Sequence, residues 1–396
     1  MEKYIRIKQV GCNSKIKMVS RKNLSELFFP HDNKPQHLKA LDGLRGIAVL
    51  LVLLSHTSGA NMFFHTSLNF KNSGKIGVYL FFVLSAYLLD RQIAIAFMKN
   101  KSSKKYWKNY FLRRSLRIYP LFVMSLLLHG LFTLLGINTV IDKFIDVPLH
   151  MILAKGESVF WSIPVEFKYY FISPLIMYSC HRFLKWDKQK LFIFFITLTG
   201  FTFTIQLIHP LSSPSTLRYF PIFIVGTFIS IYELIFRDEI KQFHNPRMIN
   251  IGGVSAFLII LITIPFFFDK IFGFKFDFLS AMFYFPYAVI WGIVLLSAKY
   301  GNGLIRKLLE SKFLRFIGVI SFSLYLFHML FIEYVRQLTI PQNLKIYLFF
   351  ILTFLFSCLS YLIIERPLSK IRLHSRDLNS KIYKNKELQP TKVNRK

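Results

Sequence analysis

Long apolar runs constrain the fold of this 396-residue chain more than any other feature. A helix needs about 20 mostly apolar residues to cross about 30 Å of hydrocarbon. Apolar residues make up 53% of the chain and 45 residues are Phe, far above the loading of soluble proteins. The sequence therefore predicts an all-α membrane protein, a bundle of about ten transmembrane helices, with spans near 43–60, 76–97, 119–136, 159–180, 191–208, 218–236, 249–268, 278–298, 315–336 and 346–364.

Positive charge dominates the polar residues, with 51 Lys and Arg against 20 Asp and Glu. Such an excess indicates either a polyanionic partner or positive charge retained on cytoplasmic loops. If the N-terminus is cytoplasmic, both chain ends and alternate loops lie on that side, and they hold 39 of the 51 basic residues. The distribution predicts cytoplasmic N- and C-termini and contacts between basic flanks and membrane lipids, with no nucleic-acid partner.

Two basic, polar segments flank the apolar region. Residues 1–39 lack the apolar core of a signal peptide, so they are predicted to form a cytosolic extension. Residues 40–369 are predicted to form the membrane domain, and 370–396 a disordered cytosolic tail. The widely separated cysteines match no metal or redox spacing, so neither a disulfide framework nor a metal site is predicted; they are Cys12, Cys180 and Cys358.

Ionisable residues inside the first span are candidates for function, because each costs about 2.5 kcal/mol or more at mid-bilayer. In LDGLRGIAVLLVLLSH, Arg45 and His56 are eleven residues apart and return to within about 20° of one helix face. Asp42 falls near that face as well. His56 also fits a helix-to-helix hydrogen-bond role, and Asp42 with Arg45 fits a charge pair at the helix start.

Two further spans place titratable groups at a depth similar to that of His56. Glu166 lies in FWSIPVEFKYY of the fourth span, and His328 in FSLYLFHML of the ninth. Unrelated helices have no packing reason to place such groups at one level, so the coincidence predicts a site there. Trp161 is either a support residue of that site or a member of the interfacial aromatic belt.

A polar path toward the cytosol is predicted from the second and third spans. FFVLSAYLLDR places Ser85 near mid-depth and Arg91 closer to the cytosol. In FLRRSLRIYP, Arg114 and Arg117 are three residues apart, so their guanidinium groups share one side of a helix and suit a phosphate or diphosphate. Arginines beside a span are also typical of a topology anchor.

As an ordered set, these segments resemble the acyltransferase 3 family of membrane-bound O-acyltransferases, which modify bacterial surface glycans and related molecules. The resemblance covers about residues 40–370 and is carried by LDGLRGIAVLLVLLSH, FFVLSAYLL, RRSLRIYP, WSIPVE and SFSLYLFH. It implies that His56 is the catalytic histidine, Arg45 its motif partner and Glu166 the carboxylate of the fourth-span motif.

The resemblance also implies a donor side. Arg114 and Arg117 match the arginine pair associated with acyl-CoA, and His328 matches a recurring histidine. The family usually has glycine where this chain has Ala86, so we expect the extra methyl group to alter the donor channel. Some members carry an extracytoplasmic domain after the last span; here we expect acceptor recognition from the helices, the short outer loops or a partner.

The resulting hypothesis is an enzyme of the bacterial cytoplasmic (inner) membrane. It transfers an acyl group, with acetyl preferred, from cytosolic acyl-CoA as co-substrate to a hydroxyl of a cell-surface or lipid-linked carbohydrate; no bound cofactor is predicted. His56 would act as general base, because an ordinary pKa near 6.5 leaves imidazole mostly neutral at pH 7. Arg45 could stabilise the oxyanion or hold the donor, and Glu166 could orient the imidazole or bind the acceptor.

Two other classes stay open. A secondary transporter or flippase for a lipid-linked sugar also buries ionisable groups among many helices. The sequence shows neither paired half-repeats nor broken helices, which favours the enzyme. A structural or assembly component that binds anionic lipid is the other alternative. Acceptor identity, acyl length and oligomeric state are not predicted.

Overall fold

The computed structural model describes residues 27–29, 38–209, 211, 214–236, 239, 245–275 and 284–371, and within them all regular structure is helical. A 3₁₀ turn at Ser158–Trp161 and a π-helical turn at Tyr361–Glu365 complete the elements. The helices are α1 (Lys39–Gly59), α2 (Gly74–Met98), α3 (Lys104–Leu134), α4 (Asp146–Met151), α5 (Ser162–Arg182), α6 (Lys188–Ile208), α7 (Thr216–Ile235), α8 (Pro246–Ile262), α9 (Pro265–Phe272), α10 (Tyr284–Tyr300), α11 (Leu304–Leu309), α12 (Lys312–Val319), α13 (Ser321–Gln337), α14 (Gln342–Ser360) and α15 (Arg366–Ser369).

The all-helical prediction is confirmed for the described residues. Six helices are long and apolar enough to cross a membrane, namely α1, α2, α3, α6, α7 and the run from α14 to α15, and the number is eight if each of two bent pairs is one span. Helices α5 and α10 also occupy predicted span positions, but they do not meet that length and composition criterion. The count of ten spans and the cytoplasmic termini stay predictions.

The polar segments at the two chain ends are only partly described. Of the predicted extension 1–39, the structure describes 27–29 and 38–39, so Cys12 lies outside it. Of the predicted tail 370–396, it describes 370 and 371. Within 27–29, Phe28 is buried and packs on Phe316 of α12, with ring centroids 4.9 Å apart. This short segment therefore touches the membrane domain.

Two of the predicted spans are bent, which corrects the expectation that no helix is broken. Helices α8 and α9 meet at 89°, and α12 and α13 at 74°. Pro265 begins α9 and lacks the amide hydrogen that would continue α8. The second break, at Ile320, has no proline. Apolar residues continue across both breaks, so a hydropathy pattern cannot reveal either of them.

Helix α3 begins 15 residues before the predicted third span. Ser103 caps it, since its Oγ accepts a hydrogen bond from the Tyr106 amide at 3.3 Å. The added residues include many Lys and Arg, which are good helix formers but lower the hydropathy on which the prediction rests. As a result, Arg114 and Arg117 lie in the body of α3.

Helices α1 and α2 form the centre of the bundle. In their most apolar stretches 78% and 67% of residues are buried, against 22% in α6 and 28% in the run from α14. Helix α2 contacts α1, α5, α7 and α10. A buried carboxylate, Asp90 of α2, accepts hydrogen bonds from Tyr169 at 2.6 Å and from Ser173 and Thr227, which ties α2 to α5 and α7.

Glycines allow α1 and α12 to pack backbone to backbone. An ideal Cβ placed on Gly318 would lie 1.7 Å from the Asp42 carbonyl oxygen, and one on Gly46 would lie 2.2 Å from the Leu314 carbonyl oxygen. Neither position has room for a larger residue unless the helices separate. Small residues are what permits such close approach in membrane proteins. The glycines of LDGLRG therefore set the position of Arg45 relative to α12 and α13.

Candidate active site

One cleft is bounded by α1, α2, α3, α5 and the start of α13. Its empty volume is about 780 Å³ including its open mouth, and we call it the arginine cavity. Three arginines and one carboxylate face it together with several hydroxyl groups. The polar lining consists of Arg45, Ser85, Arg114, Arg117, Ser162, Glu166, Tyr170, Ser321 and Tyr325.

Glu166 is held in this cavity by two hydroxyl groups. It accepts a hydrogen bond from Ser85 of α2 and another, at 2.6 Å, from Tyr170, one turn further along α5. The motifs of the second and fourth spans therefore meet at one carboxylate. Ala86 does not line the cavity: it is buried against Gly226 of α7, where an added Cβ would lie 3.0 Å from the Ala86 methyl group. The methyl group that was expected to alter the donor channel therefore contacts α7 and affects the packing of α2 against α7.

The three arginines make the cavity electropositive. Arg45 pairs with Asp42 at 3.3 Å, as the helix-start alternative predicts, and Arg114 lies 5.7 Å from the centre of the Tyr170 ring. Arg117 is exposed and forms no ion pair with the described residues. With Glu166 as the single carboxylate among the described lining residues, the balance favours an anionic ligand with phosphate groups.

A second cleft lies beside the first, and we call it the histidine cavity. Its empty volume is about 900 Å³ including its open mouth. His56 enters it from the C-terminal part of α1. A Cβ atom built on Gly74, the first residue of α2, would lie 3.7 Å from Nε2 of His56. The other polar or aromatic lining residues are Lys75, Ser158, Trp161, Arg218, Tyr219 and Tyr325.

His328 lies behind His56, with the two ring centroids 5.1 Å apart. The Nδ1 atom of His328 lies 2.7 Å from the Tyr325 carbonyl oxygen and must carry the hydrogen, because a carbonyl only accepts. Its Nε2 is buried and has no partner among the described residues. The structure thus brings together the histidines of the first and ninth predicted spans.

Tyr325 separates the two cavities. It lines both, as does Val78, and its hydroxyl group donates to the Val159 carbonyl at 2.6 Å and is 2.8 Å from the Ser162 hydroxyl. The sequence places Arg45 and His56 near one face of the first span; in the structure they line two clefts that have a common wall. Tyr325 precedes His328 by three residues in SFSLYLFH, a spacing that puts both on one helix face and that could have identified it.

Several predicted site residues lie elsewhere or have other partners. Glu166 does not line the histidine cavity, so the structure does not bring it to the imidazole of His56. Arg91 lines neither cavity; it pairs at 3.1 Å with the buried Glu233, which also binds Lys299. Trp161 lines the histidine cavity, where its ring lies 4.6 Å from that of Tyr219.

Comparison with known proteins identifies the family of the chain. The acyltransferase 3 family, whose shared unit is described as an acyltransferase domain, matches residues 38–365. The chain belongs to this family, which confirms the resemblance seen in the motifs. No solved structure matches the chain.

The curated relatives are similar along most of the chain. Peptidoglycan O-acetyltransferase OatA of Listeria monocytogenes is 24% identical over 397 residues, covering 89% of this chain and 60% of that protein. O-acetyltransferase OatA of Staphylococcus aureus NCTC 8325 is 23% identical, covering 85% and 58%. A protein of strain COL, provisionally named an O-acetyltransferase, is 25% identical, covering 86% and 59%. The chain thus spans about three fifths of these relatives.

Proposed function

We propose that this protein transfers an acetyl group from cytosolic acetyl-CoA to a hydroxyl group of a cell-surface or lipid-linked carbohydrate, in the cytoplasmic membrane of a bacterium. Membership of the acyltransferase 3 family supports acyl transfer. The names of the relatives support acetyl as the acyl group, and the name of the Listeria protein supports a cell-wall polymer as acceptor.

The observation that carries the proposal is the pair of cavities that meet at Tyr325. One presents three guanidinium groups, which suit the phosphates of a coenzyme A thioester. The other presents His56, a group able to take a proton near neutral pH. A charged cytosolic donor and a membrane-bound or external acceptor need such an arrangement, because their reacting ends must meet inside the protein.

The chemistry follows from this arrangement. Arg114 and Arg117 hold the donor phosphates while the thioester arm extends along the arginine cavity toward Tyr325. The acceptor hydroxyl group lies against neutral His56, which takes its proton as the oxygen attacks the thioester carbonyl carbon. The carbon–sulfur bond then breaks, the coenzyme A thiolate leaves, and it recovers the proton from His56. An acyl-histidine intermediate is the second-ranked variant.

Neighbouring groups support these steps. Arg45 lines the donor side, where its guanidinium group can hold the donor. Glu166 fixes Ser85 and Tyr170 in the donor wall, so orienting the imidazole of His56 falls to another group. His328, 5.1 Å from His56 between ring centroids, is placed for that task.

The arginine assignment predicts a loss of donor affinity. Replacing Arg114 or Arg117 by Gln should raise the KM for acetyl-CoA about tenfold, because a charge-assisted bond to phosphate is lost, with a smaller change in kcat. Radiolabelled acetyl transfer by purified protein measures both constants. Arg113→Gln is the matched control, since Arg113 is exposed, donates to the Asn109 carbonyl and does not line the cavity. If the KM for acetyl-CoA is the same in all three variants as in the wild type, Arg114 and Arg117 act as topology anchors and do not bind the donor.

The two bent helix pairs keep the transporter alternative in view, because discontinuous helices are typical of many transporters. Reconstituted proteoliposomes separate the two functions. We expect label from acetyl-CoA to become covalently attached to an envelope acceptor. Movement of a lipid-linked sugar across the bilayer without acetyl-CoA, and without attached label, would support the transporter.

A further inference from the structure

The histidine cavity carries positive charge that acetyl transfer itself does not require. Lys75 and Arg218 both line it, and the described lining residues include no carboxylate. Lys75 is exposed and forms no ion pair with the described residues. It also belongs to the first turn of α2, whose N-terminal end contributes partial positive charge at the same wall.

Arg218 is only partly satisfied by the protein. Its Nη1 donates to the Leu211 carbonyl at 2.8 Å and its guanidinium carbon lies 5.6 Å from the centre of the Tyr219 ring. Its Nε is buried and has no partner among the described residues. Buried donors are normally hydrogen-bonded, so the described residues leave part of the hydrogen-bonding capacity of this guanidinium group unused.

The nearest acidic side chain is already engaged. Glu157 stands between the lining residues Gly156 and Ser158, but its carboxylate lies 2.7 Å from Lys155 and 3.6 Å from His150. Hydrogen bonds to Glu157 and Asp146 raise the pKa of Lys155. Lys155 therefore stays charged and paired with both carboxylates. Glu157 therefore does not neutralise the charge of the cavity.

Aromatic rings complete the lining. Trp161 and Tyr219 contact each other at this wall, and Tyr325 lines the side shared with the arginine cavity. Flat aromatic faces with polar edges suit the apolar faces of a sugar ring. A cavity with stacking surfaces, two cations and a proton acceptor has the elements needed to bind a sugar that bears a negative charge.

We infer that the acceptor is an anionic carbohydrate, whose carboxylate or phosphate group binds Lys75 and Arg218 while one of its hydroxyl groups reaches His56. This inference rests on the proposed function, because it identifies the chemical class of the acceptor. It gives Lys75 and Arg218 a role in acceptor binding and none in donor binding.

Binding and transfer with matched probes test the inference. The full-length protein in nanodiscs is titrated by calorimetry with methyl glucoside, methyl glucuronoside and methyl glucoside 6-phosphate, which differ at one carbon. We expect at least tenfold tighter binding of one charged probe than of the neutral parent, and the better probe distinguishes a carboxylate from a phosphate. Lys75→Gln and Arg218→Gln should each lower the ratio of charged-probe to neutral-probe affinity about tenfold.

Matched variants make the result specific. Lys71→Gln changes an exposed lysine of the preceding loop that does not line the cavity, and it should leave binding unchanged. Lys75→Arg should keep the preference. Wild-type protein that binds the charged probes no tighter than methyl glucoside would overturn the inference, as would equal losses for charged and neutral probes.

Measuring acetyl transfer to the same probes and to envelope acceptor distinguishes failure of this inference from failure of the proposed function. Charge-dependent binding with no acetyl transfer to any probe or envelope acceptor would sink the proposed reaction and leave the ligand class standing. Acetyl transfer that is equally efficient for neutral and charged acceptors would sink the inference and leave the reaction standing. The KM for acetyl-CoA should be unchanged in Lys75→Gln and Arg218→Gln.

Discussion

Replacing His56 by Gln should lower acetyl transfer about 10²- to 10⁴-fold, the range expected when a general base is removed. Among the lining residues of the histidine cavity, imidazole has the ordinary pKa closest to neutrality, and Gln keeps much of its size without taking a proton. The KM for acetyl-CoA should change little, because His56 does not line the arginine cavity. Initial rates of label transfer from acetyl-CoA measure the effect.

His181→Gln is the matched control for this variant. His181 lies at the end of α5, where its ring stacks on Phe97 at 5.2 Å between centroids, and it lines neither cavity. Its replacement should leave the rate of transfer within about twofold of wild type, because His181 is remote from the reacting groups. Transfer at the wild-type rate by His56→Gln would assign His56 to helix packing.

A second large effect is expected on stability, at the contact between α1 and α12. Gly318→Ala should destabilise the protein by about 3 kcal/mol, because the new methyl group would lie 1.7 Å from the Asp42 carbonyl oxygen and force the two helices apart. Thermal unfolding of the detergent-solubilised protein should shift downward by about 5 °C. The yield of monodisperse protein should fall as well.

Gly200→Ala provides the opposite case. Gly200 lies within α6, and a Cβ placed there meets nothing within 4 Å. Alanine should therefore leave the protein as stable or slightly more stable, since it favours a helix over glycine by about 1 kcal/mol. If Gly318→Ala and Gly200→Ala unfold at the same temperature, the backbone contact of α1 with α12 does not support the fold as described.

The sequence predicts where helices lie better than it predicts their shape. Apolar runs locate a helix at each predicted span because burial of apolar residues and the 20-residue length requirement are local properties. The start of α3 at Lys104 escapes this pattern, because charged residues extend a helix beyond the apolar core. The bend at Ile320 escapes it too, since it accompanies the close glycine contact between two segments distant in sequence.

The site was predictable to the extent that it depends on depth along a helix. The sequence predicts a similar depth for His56 and His328, and their rings are in contact in the structure; the i to i+3 spacing likewise predicts that Arg114 and Arg117 share one cavity wall. Depth does not fix rotation about the helix axis or the neighbouring helix. Depth alone therefore could not show that Glu166 lies in the arginine cavity and not beside His56.

Arg91, Lys75 and Arg218 show the same limit. Arg91 pairs with Glu233 of α7, a contact between helices that no spacing within α2 can indicate. Lys75 and Arg218 line one cavity although they are far apart in sequence, near the starts of α2 and α7. Their proximity depends on how α2 and α7 pack, which the sequence pattern does not specify.

Label transfer in proteoliposomes tests whether an acetyl group passes from a coenzyme A thioester in the arginine cavity to a hydroxyl group in the histidine cavity, across the wall that Tyr325 forms between them. Purified protein is reconstituted, given acetyl-CoA labelled in the acetyl group, and offered envelope material from cells that lack the gene. We expect alkali-labile label in a carbohydrate product with wild-type protein, and at least about 10²-fold less label with His56→Gln. Absence of carbohydrate-bound label with wild-type protein, or equal label with both proteins, would contradict it.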